Sequence, residues 1–145
     1  MRKAWLTVLF VVIAAGCGIG AEKEDNTTKV IVKVVIPKEV ASFTDQTLEL
    51  RLYEYNPLIA DKAADLVEKI EKAKFAHTQG KETTVELVIG AKGTVTPMHA
   101  YYLTTFVLKG ANRTHIGEID GKSGLCKVIA NGNPRTVQMI VRPVR

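Results

Sequence analysis

The sequence predicts an all-β domain: a seven- or eight-stranded antiparallel β-sandwich with one short helical segment after the second strand. Three observations carry that expectation. Residues 47–55 read T-L-E-L-R-L-Y-E-Y, so Leu48, Leu50 and Leu52 fall on one side of a strand and Glu49, Arg51 and Tyr53 on the other. Residues 29–36, K-V-I-V-K-V-V-I, form a β-branched run that stops at Pro37. The second half is cut by Asp120-Gly121 and Asn131-Gly132, the dipeptides that supply the positive φ angles of tight hairpins. One strand cannot hide three leucines from water, so the chain must supply strands that face them.

The chain opens with a targeting segment. Arg2 and Lys3 form a positive start, and residues 4–15 are an uncharged, mostly apolar run of 12. A bilayer-spanning helix needs about 20 residues, so this run fits a signal-peptide core, with a retained membrane helix as the alternative. Residues 1–21 are assigned to the leader. Ala14-Ala15-Gly16-Cys17 places small residues directly before a cysteine. This resembles the lipobox of bacterial lipoproteins, where the thiol is diacylated and becomes the new N-terminus. That motif prefers Leu where Ala14 stands. The competing reading is ordinary cleavage near Gly20 or Ala21, with Cys17 discarded and the domain free in the periplasm or secreted. Each buried CH2 of an acyl chain contributes about 0.8 kcal/mol of membrane affinity, and two or more chains anchor stably.

Cys126 is the only other cysteine. With Cys17 lipidated or removed it has no intramolecular partner, and its neighbours in L-C-K-V-I make it a small core hydrophobe. From Cys17 onward there are 129 residues, enough for one domain to stand on its core without disulfide staples. Without Arg2 and Lys3, 18 basic residues remain against 15 acidic ones, interspersed along the chain. That balance gives no electrostatic case for nucleic acid.

Residues 22–28, E-K-E-D-N-T-T, read as a polar tether and 29–145 as a single domain. After the strands at 29–36 and 47–55, Asn56-Pro57 is a helix start, and Ala60, Ala63, Val67 and Ile70 recur at helical spacing. Residues 66–75 read equally as the end of that helix or as a strand. Residues 83–89 alternate Val85, Leu87 and Ile89 against Glu86. Strands at 100–109, 113–119, 125–130 and 135–141 follow at about ten-residue spacing, the rhythm of a sandwich or barrel, of which the expected form is an immunoglobulin- or transthyretin-like sandwich.

No motif points to an enzyme or a cofactor. Gly117 to Ser123 has three residues between its glycines where a phosphate loop has four, and it lies between strands rather than opening a helix. That argues against a nucleotide site. Glu118, Asp120 and Ser123 lack the ligand density of a calcium loop. His77, His99 and His115 are 22 and 16 residues apart, with no short-spaced pair of zinc ligands. Ser123, in D-G-K-S-G, is a turn residue and not a nucleophile elbow. No catalytic residue, metal ligand or cofactor is therefore assigned.

Four tyrosines remain. Tyrosine offers apolar area with a hydrogen-bonding tip and is favoured at interfaces. Tyr53, Tyr55 and Tyr101, if they share a sheet face, are the candidate partner surface; ordinary cross-strand packing is the alternative. With A-A-G-C, L-E-L-R-L-Y-E-Y, Y-Y-L-T-T-F-V-L and V-Q-M-I-V in view, residues 29–142 resemble the small envelope lipoproteins of the YbaY/YscW type. The resemblance implies a compact β-sandwich tethered by one lipidated cysteine, here Cys17. YscW-like members act as pilotins, which escort a secretin to the outer membrane. The resemblance also favours a strand at 66–75, leaving a helical turn at 57–64. The expected function is thus a non-enzymatic, exported envelope protein, lipid-anchored and supporting a protein partner. The alternative is a secreted or periplasmic sandwich that binds a small ligand or carbohydrate. Sugar binding suffers because Trp5, the sole tryptophan, leaves with the leader.

Overall fold

The computed structural model describes residues 25–145. The leader, Cys17 and the first part of the expected tether lie outside them. Nine strands follow in order: β1 (Val30–Ile36), β2 (Phe43–Tyr55), β3 (Asp65–His77), β4 (Thr83–Ile89), β5 (Ala100–Lys109), β6 (Asn112–Ile119), β7 (Lys122–Ser123), β8 (Cys126–Val128) and β9 (Thr136–Pro143). They form one sheet, in the order β3-β2-β5-β6-β9-β1-β4, with β7 on β6 and β8 on β5. The sheet curls nearly into a barrel, and the core fills its concave side.

Alternation decides which residues fill it. Val30, Val32, Val34 and Ile36 from β1 and Leu48, Leu50 and Leu52 from β2 are buried, as are Leu103 and Val107 from β5 and Val137, Met139 and Val141 from β9. In β6 the inward position is Gly117. A Cβ there would lie 2.8 Å from the Cβ of Thr105 and 3.1 Å from the Met139 Cε, so the glycine makes room for both. Three register shifts bend the β2–β3 ladder, and the first two are opposed, with Asp45 and Lys74 each at φ +54°. Such bulges re-aim side chains and coil a sheet. Here Gln46 is buried, and its Oε1 accepts a hydrogen bond from the Thr114 hydroxyl at 2.7 Å.

Three features differ from the sequence-based expectation. Among the described residues there is no helix: residues 56–64 are turns and bends, and the chain re-enters the sheet at Asp65. Asn56 does make the bond of a helix cap, its Oδ1 accepting from the Leu58 amide at 2.9 Å, but the bond closes a turn instead. The stripe through Val67 and Ile70 is overridden by pairing with β2, where Ile70 lies opposite Leu50 and Lys72 opposite Leu48. Secondly, the strands belong to one mixed sheet rather than to the two antiparallel sheets of a sandwich, because β1 and β9 pair in parallel, Val32 opposite Val137. Thirdly, the expected tether is docked from Asp25 onward. The Val95 amide donates to the Asn26 carbonyl at 2.9 Å, the Thr28 amide donates to the Gly93 carbonyl at 3.0 Å, and Arg135 donates to the Thr27 and Asp25 carbonyls at 2.6 Å each.

The two edge strands, β3 and β4, face each other without a backbone ladder. Side chains tie them at both ends: Glu68 accepts from the Gly90 amide at 2.5 Å, and the His77 Nδ1 lies 2.8 Å from the Thr83 hydroxyl. Lys69, Glu71, Lys72 and Lys74 are exposed along β3. Charges of that kind protect an edge from pairing with another chain.

Candidate partner surface

The outer face of β2 and β5 carries a run of mutually bonded polar and aromatic side chains. Tyr53 lies opposite Tyr102 in the β2–β5 ladder. Their rings stack with centroids 5.0 Å apart and an interplanar angle of 17°, and Tyr55 meets Tyr102 at 5.8 Å. Stacking of this kind holds rings in place at small entropic cost. Burial, then the neighbouring Tyr53 and Tyr55, push the Tyr102 hydroxyl above its usual value, so it stays protonated and able to donate.

Below the tyrosines lies an ion pair with one hydrogen bond between its partners. The Arg51 Nε is 2.8 Å from the Glu49 Oε1, and its Nη2 donates to Oε2 at 2.9 Å; Nη1 donates to the Tyr53 hydroxyl at 3.1 Å. The bonds to Glu49 and then Tyr53 hold the guanidinium further in its charged form than usual. Glu49 is almost wholly buried. It lies opposite Phe106, whose ring carries the Arg113 guanidinium 4.0 Å from its centroid. Tyrosine, arginine and phenylalanine thus follow one another along one wall, the residue types that anchor protein interfaces.

Tyr101 is not part of that wall. It faces the core at 1% exposure, and its hydroxyl accepts from the Thr96 amide at 2.8 Å. Tyr102 takes its place beside Tyr53 and Tyr55. The signal was present in the sequence: counting back from Leu103 in steps of two puts Tyr101 inside. Arg51 and Glu49 were missed as a pair because nothing local marks two charges at i, i+2 on one strand face as joined.

A second polar cluster closes the end of the barrel where Asp25 enters. The His99 Nδ1 lies 2.5 Å from the Glu54 Oε1. Burial pushes the Glu54 carboxyl up, but hydrogen bonds from Thr96, His99 and Tyr101 outweigh it and hold the group below its usual value. At the opposite end, Phe43 lies between His77, at 5.7 Å, and His115, at 5.0 Å. The His77 Nε2 is 3.1 Å from the Val40 carbonyl, which fixes it as the donor and leaves Nδ1 to accept from Thr83. His99 is therefore remote from the other two histidines. Among the described residues no three His, Cys, Asp or Glu side chains converge to hold a metal ion. Cys126 is buried, and burial followed by the Asp120 charge pushes its thiol up to about 11. That is the opposite of what a nucleophile needs.

Shallow hollows exist on the surface. One, of about 620 Å³, opens between β8 and β9 and is lined by Leu125, Cys126, Lys127, Pro134 and Val137, among others. No aromatic ring lines it or two others, of about 530 and 300 Å³.

No protein-family model matches the chain, and no curated protein matches it. Among solved structures it is similar to an alternative pilotin from the type II secretion system of Vibrio cholerae. The two superpose with a TM-score of 0.57 at 15% identity, over 81% of this chain and 96% of that chain. At that identity the likeness is one of fold. It covers nearly the whole of that protein.

Proposed function

We propose that this chain is an exported, lipid-anchored envelope protein that binds and steadies a component of a secretion assembly, in the manner of a pilotin. The observation that carries the proposal is the fold shared with a pilotin over 96% of that protein's length. The leader and Cys17 support it independently, since an anchor would hold the domain at a membrane where an assembly is built. In this reading Cys17 is the lipidated residue, the membrane is one partner, and a secretin-like envelope protein is the other. The wall of Tyr53, Tyr55 and Tyr102, flanked by Arg51 and Arg113, is the docking face. The domain works by binding alone, without cofactor, nucleotide or nucleic acid.

Two variants test it. Cys17→Ala should release the protein from membranes and abolish the mass added by acyl chains; unchanged fractionation and mass would refute the anchor. Tyr53→Ala with Tyr102→Ala should leave folding intact and remove an envelope protein that co-purifies from detergent-solubilised membranes. Equal recovery of that protein would refute the docking face.

A further inference from the structure

Two turns at one end of the barrel present large apolar side chains to solvent. Asn56-Pro57-Leu58-Ile59 is a four-residue turn, closed by the Ile59 amide donating to the Asn56 carbonyl at 3.1 Å and by the Asn56 side chain on the Leu58 amide. Thr96-Pro97-Met98-His99 is another, with the His99 amide 3.3 Å from the Thr96 carbonyl. Pro stands second in both, as turn geometry favours. The third residue is where glycine, asparagine or aspartate is usual. Here it is Leu58 in one and Met98 in the other, each 74% exposed, with Ile59 at 50%. Met98 holds φ at +63°, the left-handed conformation that a type II turn demands at this position and that a side chain resists. A methionine kept in a strained conformation, with little of the fold covering it, calls for contact with something outside the fold.

The two turns lie together, beside the point where the chain enters the barrel. His99 is joined to Glu54 at the end of β2, four residues before Leu58. Asn26 is bonded to Val95, three residues before Met98. The 24 residues before Asp25, with the apolar leader and Cys17, therefore leave from this same end. The other end of the barrel carries Lys38, Lys81, Lys109, Arg113 and Arg142 near its turns against Glu39 and Glu82, a basic excess, and of the strongly exposed large apolar residues only Val144 lies there.

We infer that the 56–59 and 96–99 turns insert Leu58, Ile59 and Met98 into the interfacial layer of a lipid membrane, setting the barrel upright with its basic end pointing away. The occupant is lipid because the membrane-targeted part of the chain emerges here. Insertion is apolar rather than electrostatic: residues 54–65 and 90–99 carry Lys62 and Lys92 against Glu54, Asp61 and Asp65, so they have no excess of positive charge to seek anionic headgroups. The inference goes beyond the docking face but rests on the anchor at Cys17: it concerns how the anchored domain sits on the bilayer, and the turns alone give only a marginal, reversible hold.

The test uses the processed chain, which has lost Trp5 with the leader so that each introduced tryptophan reports alone, mixed with phosphatidylcholine vesicles carrying brominated acyl chains. Leu58→Trp and Met98→Trp should shift to the blue and be quenched, whereas Val144→Trp should be neither. Added phosphatidylglycerol or 0.5 M salt, used as test conditions at about a 4 Å screening length, should change little. Leu58→Ser with Met98→Ser should weaken vesicle partitioning of the Cys17→Ser chain by about tenfold. Unquenched tryptophans at 58 and 98 in vesicle-bound protein would overturn the inference. So would quenching that requires anionic lipid, or protection of the two turns only when a protein partner is added. The double serine variant should still capture the partner through Tyr53 and Tyr102, so failure here and failure of the docking face read differently.

Discussion

Gly90→Ala is the sharpest probe of how the N-terminal segment joins the barrel. Gly90 holds φ at +76°, and an alanine Cβ would press into the Thr28 carbonyl oxygen and lie 2.7 Å from the Leu52 Cδ2. Leu52 can yield by a rotamer change, but the Thr28 backbone cannot. Thr28 is fixed by its amide on the Gly93 carbonyl at 3.0 Å and by its hydroxyl on the Gly90 carbonyl at 2.7 Å. Moving it sacrifices both bonds, at about 1 kcal/mol each. The left-handed conformation adds about 1 kcal/mol for a residue with a Cβ, so the loss should reach about 3 kcal/mol. Gly110→Ala separates the two contributions, because Gly110 also has a positive φ, +61°, but opens onto free space. It should lose only the conformational part. Urea unfolding at constant m would give both values from the midpoints. Equal midpoints for the two variants would refute the close docking of Thr28 against Gly90.

Other expectations follow from particular side chains. Burial, then the nearby His77, hold His115 below its usual value of 6.5. The unfolded chain therefore takes up this proton first, and the contribution of the neutral ring is full above about pH 6.5 and is lost as pH falls through the lower, folded value. Glu54, also depressed, adds its own loss below its usual 4.5, so acid unfolding should show two successive slopes, the upper one absent in His115→Phe. Leu50 is fully buried, and Leu50→Ala should cost about 2–5 kcal/mol by thermal or urea unfolding. In the Cys17→Ser chain the single remaining thiol, Cys126, should resist a disulfide reagent at pH 8 until denaturant is added; prompt reaction would contradict its burial.

Much of this fold is legible wherever alternation is unbroken. Val30 to Ile36, the leucines of β2 and the β4 run from Thr83 to Ile89 announce their strands, because one face must be apolar whatever the partner. What escapes is long-range. The parallel pairing of Val32 with Val137 joins residues far apart in the chain, and no local pattern encodes it. Residues 56–64 fail for a different reason. A helix cap and an Asx turn use the same bond from Asn56, and only the pull of β2 on residues 65–77 decides between them. At the candidate surface, adjacent tyrosines at 101 and 102 point to opposite faces, and the wrong one is chosen unless the count is anchored on Leu103. The buried Gln46 and His77 leave no local trace, since their partners Thr114, Val40 and Thr83 are contributed by other elements, and His115, bonded to its neighbour Thr114, is covered by Phe43 from β2.

The most direct test of the pilotin-like role is where secretin multimers accumulate in cells whose copy of this chain is deleted or carries Cys17→Ala. A membrane-tethered escort predicts multimers misplaced to the inner membrane or degraded, restored by the wild-type chain but not by Tyr53→Ala with Tyr102→Ala. Multimers reaching the outer membrane in undiminished amount without the chain would contradict it.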